Sequence, residues 1–272
     1  MRKIKYRLVV SDFDGTLVKR DTTIGELSKN AIAEYIRNGG YFALSSGRMP
    51  HSIQERAKEL GLQGIVCAYQ GSVIMDIESG KVYSEGKLDY NLALEACKDF
   101  EEKGYHFHIY DFDKFYSNMD DEALHMYAKA TNEKTFVNPN LAQFMIDTGF
   151  VPYKILVMVH ADDLMSTYNY LSEKYGERCY VTCSSRHFVE LCNKNYSKGT
   201  SVEYLMQRFG VSKQETMAIG DQINDLPMLK MAGLGIAVKN CQEQLKDQVF
   251  VYDYTNEEDA VGKAIEQFAY EE

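Results

Sequence analysis

Long apolar runs are missing from this sequence. No stretch of its 272 residues approaches the length that spans a bilayer. Behind the basic start MRKIKYR, only Leu8 to Val10 precede a serine and an acid, too few for the core of a signal peptide. A cytoplasmic protein without a membrane partner is expected. Positive charge is also scarce, 30 Lys and Arg against 40 Asp and Glu, a net charge of −10. That balance disfavours the general phosphate attraction on which nucleic-acid binders depend. Six cysteines (Cys67, Cys97, Cys179, Cys183, Cys192, Cys241) include no Cys-x-x-Cys and no paired metal-finger spacing, so reduced, buried thiols are expected. There are four prolines, no repeat and no low-complexity linker.

At 45% hydrophobic and 26% charged residues the chain has the composition of an ordinary globular protein with a sizeable core. Short apolar runs alternate with amphipathic segments at both ends, the pattern of a parallel sheet flanked by helices. The N-terminal end predicts strands over 6–11, 41–45 and 64–68 and helices over 27–37 and 52–60. The C-terminal end predicts helices over 199–209, 227–231 and 257–268 and strands over 216–219, 234–238 and 249–251. Between them lies a tyrosine-rich region with short strand-like runs such as YHFHIY, YKILVMVH and RHFVELC, broken by helices over 91–103, 122–130 and 163–175. The expectation is an α/β protein whose Rossmann-like parallel-sheet core (1–85 and 193–272) carries an inserted α+β domain (86–192), with hinges near Gly86 and Asn193.

The polar motifs lie just after predicted strands, where open α/β sheets place ligands. LVVSDFDGTL puts Asp12 and Asp14 at the end of the first strand, two apart and so on one side of an extended chain. A calcium loop starting at Asp12 would need glycine at its sixth position, which is Leu17. ALSSGR offers the Ser46 hydroxyl and the Gly47 backbone near a helix start. YSKGTS puts Lys198 in a first helical turn, where the dipole disfavours a cation and an anionic partner is implied. AIGDQINDLPML crowds Asp221, Asn224 and Asp225 after a strand, an oxygen-rich set suited to Mg²⁺ and phosphate, although Asp225 alone would serve as a helix N-cap.

In order and spacing these residues resemble the four-motif signature of the haloacid dehalogenase (HAD) superfamily. DFDGTL matches its first motif, the SSGR serine its second, SKG its third and GDQIND its fourth. The 152 positions from Ser46 to Lys198 leave room for a type II cap. AGLGIAVKNCQEQLKD and YTNEEDAVGKAI are similar to the closing segments of the Cof-type, sugar-phosphatase subgroup, in which Gln70 of CAYQGSVI stands where asparagine is usual. The resemblance implies a Mg²⁺-dependent phosphatase acting on small phosphorylated metabolites through an aspartyl-phosphate. Asp12 would be the nucleophile and Asp14 the general acid and base, with a raised pKa. Mg²⁺ would be held by the Asp12 carboxylate, the Asp14 carbonyl and Asp221. Ser46, the Gly47 N–H, Lys198 and Asn224 would bind phosphate oxygens, Asn224 and Asp225 would orient Lys198 or metal-bound water, and Thr16 and Arg48 would support the site.

A phosphomutase of the phosphomannomutase type and a catalytically silent phospholigand-binding protein are the alternatives. No P-loop occurs, and GLGIAV lacks the third glycine of a dinucleotide fingerprint. Nothing demands more than a monomer or a weak homodimer. In the inserted region His106, His108, Lys154, Arg186 and His187 fall on expected strands, where alternation toward solvent accounts for most of them. Asp111 and Asp113 of a second Asp-Phe-Asp lack the following Gly-Thr and read as turn residues.

Overall fold

The run LVVSD forms strand β1 (Leu8–Asp12), buried at every position and interior to an eight-stranded sheet. The computed structural model describes residues 2–131 and 133–271. From β1 the chain passes through α1 (Glu26–Arg37), β2 (Tyr41–Ser45), α2 (Pro50–Glu59) and β3 (Ile65–Ala68), then a hairpin, β4 (Val73–Asp76) and β5 (Val82–Glu85). It crosses by α3 (Tyr90–Lys103) into a second sheet. That region runs β6 (His106–Tyr110), β7 (Phe115–Ser117), α4 (Glu122–Thr131), β8 (Thr135–Val137), α5 (Leu141–Thr148), β9 (Lys154–Met158), α6 (Leu164–Tyr175), β10 (Cys179–Ser185) and β11 (Phe188–Asn193). The return is α7 (Lys198–Phe209), β12 (Thr216–Gly220), α8 (Leu226–Met231), β13 (Leu234–Ala237), α9 (Glu243–Lys246), β14 (Phe250–Val251) and α10 (Ala260–Phe268).

The first sheet has the order β14-β13-β12-β1-β2-β3-β4-β5. Its strands are parallel from β14 to β3, and the β4–β5 hairpin is antiparallel. β1 has β2 on one side and β12, from the far end of the chain, on the other. The carboxyl ends of these three strands therefore meet at a topological switch point, the usual ligand position in such sheets. Alternation sorts their side chains: Val9, Phe42, Leu44, Met217 and Ile219 pack with α1, α2 and α10, while Leu8, Val10, Ala43 and Ala218 pack with α7 and α8. Both faces of the interior strands are covered, which fixes their register.

The second sheet has the order β10-β11-β9-β6-β7-β8, antiparallel except for β7 with β8. One face, with Phe107, Ile109, Ile155, Val157, Val189 and Leu191, is covered by α3, α5 and α6. From the other face Tyr110 and Leu156 join the apolar cluster of the first sheet. The passages between sheets are tied together, Asn193 Nδ2 donating to the Lys87 carbonyl (2.6 Å) and Tyr196 OH to that of Glu85 (3.0 Å).

The departures from expectation are local. α2 starts at Pro50 rather than 52, because proline suits a first helical turn. α10 starts at Ala260 rather than 257, after a 3₁₀ turn over Asn256–Glu258 and a left-handed Asp259 (φ 60°). α5 and the β4–β5 hairpin carry too little periodicity in isolation and were not expected. His108 and Lys154 are buried, not solvent-facing, because Tyr127 of α4 packs over His108 and the Ser46–Gly47 loop of the first sheet meets Lys154. Arg186 and His187 are exposed and His106 is half-buried. Asp111 and Asp113 lie in the β6–β7 turn, where Asp111 N–H donates to the Lys114 carbonyl (2.9 Å). Among the described residues no helix is long and apolar enough to cross a membrane, and all six cysteines are free and buried.

Gly235 of β13 tests this packing: a Cβ there would lie 2.2 Å from the Leu229 carbonyl oxygen of α8, main chain that cannot swing aside. Gly235→Ala is expected to cost about 1–3 kcal/mol, read as a lower urea midpoint at unchanged m-value.

Candidate active site

Three strand ends supply the site. Asp12 is the last residue of β1, Ser46 follows β2, and Asp221 follows β12. α7 aims Lys198 at them, and its start is set by a capping box: Ser197 Oγ accepts from Thr200 N–H (3.2 Å), and Thr200 Oγ1 accepts from Ser197 N–H (2.8 Å). Lys198 is thus a first-turn cation, and the anionic partners its position implied are present. Its Nζ lies 2.5 Å from Asp12 Oδ1 and 2.6 Å from Asp225 Oδ1, with the side chain 1% exposed.

Asp225 occupies the N-cap position of α8 without a side-chain cap bond to that helix. Its Oδ2 accepts from the backbone N–H groups of Asp221 and Gln222, each at 2.8 Å, and so shapes the loop that carries Asp221. Asp221 accepts from Thr16 Oγ1 (2.7 Å) and Gln222 Nε2 (2.8 Å). Gly15 permits this approach: its φ is +80°, and a Cβ would sit 2.7 Å from Asp221 Oδ2.

Asp12, Asp221 and Asp225 each offer an oxygen within 4.8 Å of the others, all buried. Burial first, then repulsion from Asp225, raises the pKa of Asp12 well above the usual carboxylate range and that of Asp221 to about 6. Burial alone would lower Lys198, but Asp12 and Asp225 outweigh it and hold its pKa above the ordinary lysine value. One ammonium among three carboxylates leaves negative charge uncompensated. Hard oxygen donors in that state fit Mg²⁺. Asp225 stands in this acidic set and Asp14 does not; the Asp14 carboxylate is held by Arg48 Nε (2.7 Å) and Nη2 (2.8 Å), half-exposed. Asp12 and Asp14 nevertheless line one cavity of about 250 Å³, together with Ser46, Gly47, Arg48 and Lys198. Ser46 Oγ accepts from Arg48 N–H (3.1 Å), and Asn224 Nδ2 donates to Gln70 Oε1 (3.0 Å) while Asn224 Oδ1 is buried without a partner among the described residues.

The far wall comes from the second sheet. Lys154 Nζ lies 3.0 Å from Glu190 Oε1 and donates to the Gly47 carbonyl (2.9 Å), and Ser184 Oγ donates to Glu190 Oε1 (2.7 Å). Tyr127 and Glu133 complete it. Glu190, Glu133 and Tyr127 were not singled out from sequence. The available signal was a charge inside an otherwise apolar strand, as in YKILVMV and FVELC.

The family model of the haloacid dehalogenase-like hydrolases matches residues 9–265. Phosphatase YwpJ of Bacillus subtilis is 26% identical over 277 residues, covering 94% of this chain and 97% of its own. Among solved structures, TM0651 from Thermotoga maritima is 28% identical with a TM-score of 0.81, over 98% of both chains. A haloacid dehalogenase-like hydrolase from Bacteroides thetaiotaomicron is 28% identical with a TM-score of 0.79, over 97% of this chain and 99% of its own.

Burial pushes Glu133 up to about 7 despite the opposing charges of Lys154 and Arg48, and its Oε2 has no hydrogen-bond partner among the described residues. A carboxyl raised in the folded state keeps its full contribution below the unfolded value and loses it as pH rises through the folded one. Glu133→Gln should therefore match the parent in stability near pH 4. It should become the more stable of the two by roughly 2–3 kcal/mol at pH 8, measured by urea unfolding across that range.

Proposed function

The chain belongs to the haloacid dehalogenase-like hydrolase family, and from that membership we propose that it is a phosphatase that hydrolyses small phosphorylated metabolites. The observation that carries the proposal is Asp12: a carboxylate at the end of β1, facing the cavity and bonded to the buried ammonium of Lys198. Such a group is a nucleophile whose ionised form the ammonium favours against the opposing effect of burial. Attack on phosphorus would break the bond to the leaving oxygen and form an aspartyl-phosphate, which water then cleaves, so one very slow step becomes two accessible ones.

Asp14 lies beside the same cavity and is the proposed acid for the leaving oxygen and base for the water. To act it must exchange its bonds to Arg48 for the substrate, which gives Arg48 a natural second role as a donor to phosphate oxygens. Ser46, the Gly47 N–H, Lys198 and Asn224 are placed by the proposal around the transferring group, held before it arrives rather than reorganised around it. Asp225, whose carboxylate is already shared between Lys198 and two backbone N–H groups, orients them.

Asp12 and Asp221, with the Asp14 main-chain carbonyl, are the proposed ligands of Mg²⁺. When bound, the ion would offset the negative charge that otherwise repels an anionic ester from an anionic nucleophile. The region 86–192 is proposed as the cap that excludes water from the site. Arg48, Glu133 and Ser184 on the cavity wall can bond to hydroxyls, which favours a sugar phosphate over an apolar ester.

The expected result is release of inorganic phosphate from p-nitrophenyl phosphate and from hexose phosphates, stopped by a chelator and restored by Mg²⁺. Asp12→Asn should lower kcat by at least about 10³-fold. Turnover retained in that variant removes Asp12 from the nucleophile's role.

A further inference from the structure

The turn after β3 has no part in the chemistry above, yet it is strained. Tyr69, Gln70 and Gly71 have φ of 48°, 59° and 96°, and only the third is a glycine. Side-chain-bearing residues keep such conformations when their surroundings hold them, and they concentrate at functional sites. Both side chains leave the first sheet for the second. Tyr69 OH donates to the Asp111 carbonyl (2.6 Å), and its ring stacks on Tyr153 at 5.7 Å. Gln70, fully buried, donates from Nε2 to Glu190 Oε2 (2.9 Å) and accepts at Oε1 from Asn224 Nδ2 (3.0 Å).

Chemistry fixes these amide orientations. An ionised Glu190 only accepts, so the Gln70 nitrogen faces it, which leaves the Gln70 oxygen to Asn224 and makes Asn224 turn its own nitrogen inward. Glu190 is orientated in turn by Lys154 and Ser184 on Oε1, and Lys154 bonds the Gly47 carbonyl. The chain Asn224, Gln70, Glu190, Lys154, Gly47 thus begins and ends at phosphate-facing loops of the first sheet and passes through the second. Among the described residues Asn224 has no other side-chain hydrogen bond, its Oδ1 being unpartnered.

We propose that Gln70 is a positioning residue that couples the seating of the second sheet to the assembly of the phosphate site, by fixing Asn224 and the Ser46–Gly47 loop only when Glu190 and Lys154 are in place. The inference rests on the phosphatase reading given above. Glutamine suits the role because one terminal amide reaches an acceptor across the interface and a donor in the site at once. Asparagine, one methylene shorter, cannot span both, and leucine can bond to neither.

The test compares the full-length parent with Gln70→Leu and Gln70→Asn on p-nitrophenyl phosphate. Each variant should lose about 10- to 100-fold in kcat with KM changed less than about threefold. Thermal midpoints should stay within about 4 °C of the parent. Small-angle scattering should give a larger radius of gyration for Gln70→Leu, a readout that a purely local packing defect would not move. Adding Glu190→Gln should cost less in the Gln70→Leu background than in the parent, since the Gln70–Glu190 bond is already cut there and only the Lys154 arm remains to be lost. Unchanged kcat in Gln70→Leu, or multiplying losses in the double variant, overturns the proposal. If Gln70→Leu does not fold, Gln70→Asn carries the same comparisons. A parent inert toward every phosphomonoester sinks the phosphatase reading instead, and the scattering comparison then decides the coupling without turnover.

Discussion

The site depends on one buried ammonium. Lys198 meets Asp12 and Asp225 in a place almost closed to solvent, where an unpaired charge of either sign would be very costly. The three residues come from the end of β1, the first turn of α7 and the loop after β12, so the ion pairs tie together segments up to 213 positions apart (225 minus 12). Asp225 carries the constraint further by capping the N–H groups of Asp221 and Gln222. Charge balance, loop shape and the approach of α7 are therefore one problem with one solution.

That solution leaves the site short of positive charge. The raised pKa of Asp12 and of Asp221 reports the strain of crowding carboxylates out of water. In the proposed mechanism a bound cation would relieve that crowding and favour the ionised nucleophile, so what costs stability would serve turnover. The half-exposed Asp14, held by Arg48, is set apart from this cluster and free to change partners. Two aspartates two residues apart thus occupy different environments, which is what different roles require.

The second sheet is a wall of the site and not only a cover. Its face toward the first sheet carries the buried Lys154–Glu190 pair, which touches both Gly47 and Gln70. Buried ion pairs add little net stability, but they are specific in geometry. Here the geometry joins the two sheets at the point where substrate would enter, while the stacked Tyr69 and Tyr153 and the apolar Tyr110 and Leu156 supply the adhesion.

Much of this was legible in the sequence. Apolar runs bounded by glycine and acidic residues located β1, β2, β3 and β12, because a strand buried on both faces has to be apolar throughout. Asp12, Ser46 and Asp221 were singled out by their place at the ends of those strands and Lys198 as a cation in a first helical turn, which implied the anionic partners it has. What the sequence could not decide was which polar residues of the inserted region face inward. Alternation says that Lys154 and Ile155 point to opposite sides of a strand, yet only the stacking of a second layer determines which side meets water. The same holds for Gln70, whose backbone strain and double hydrogen bond exist only once Glu190 and Asn224, 120 and 154 positions away, are brought to it. Local chemistry wrote the polar motifs; the packing of two sheets chose the residues that hold them in place.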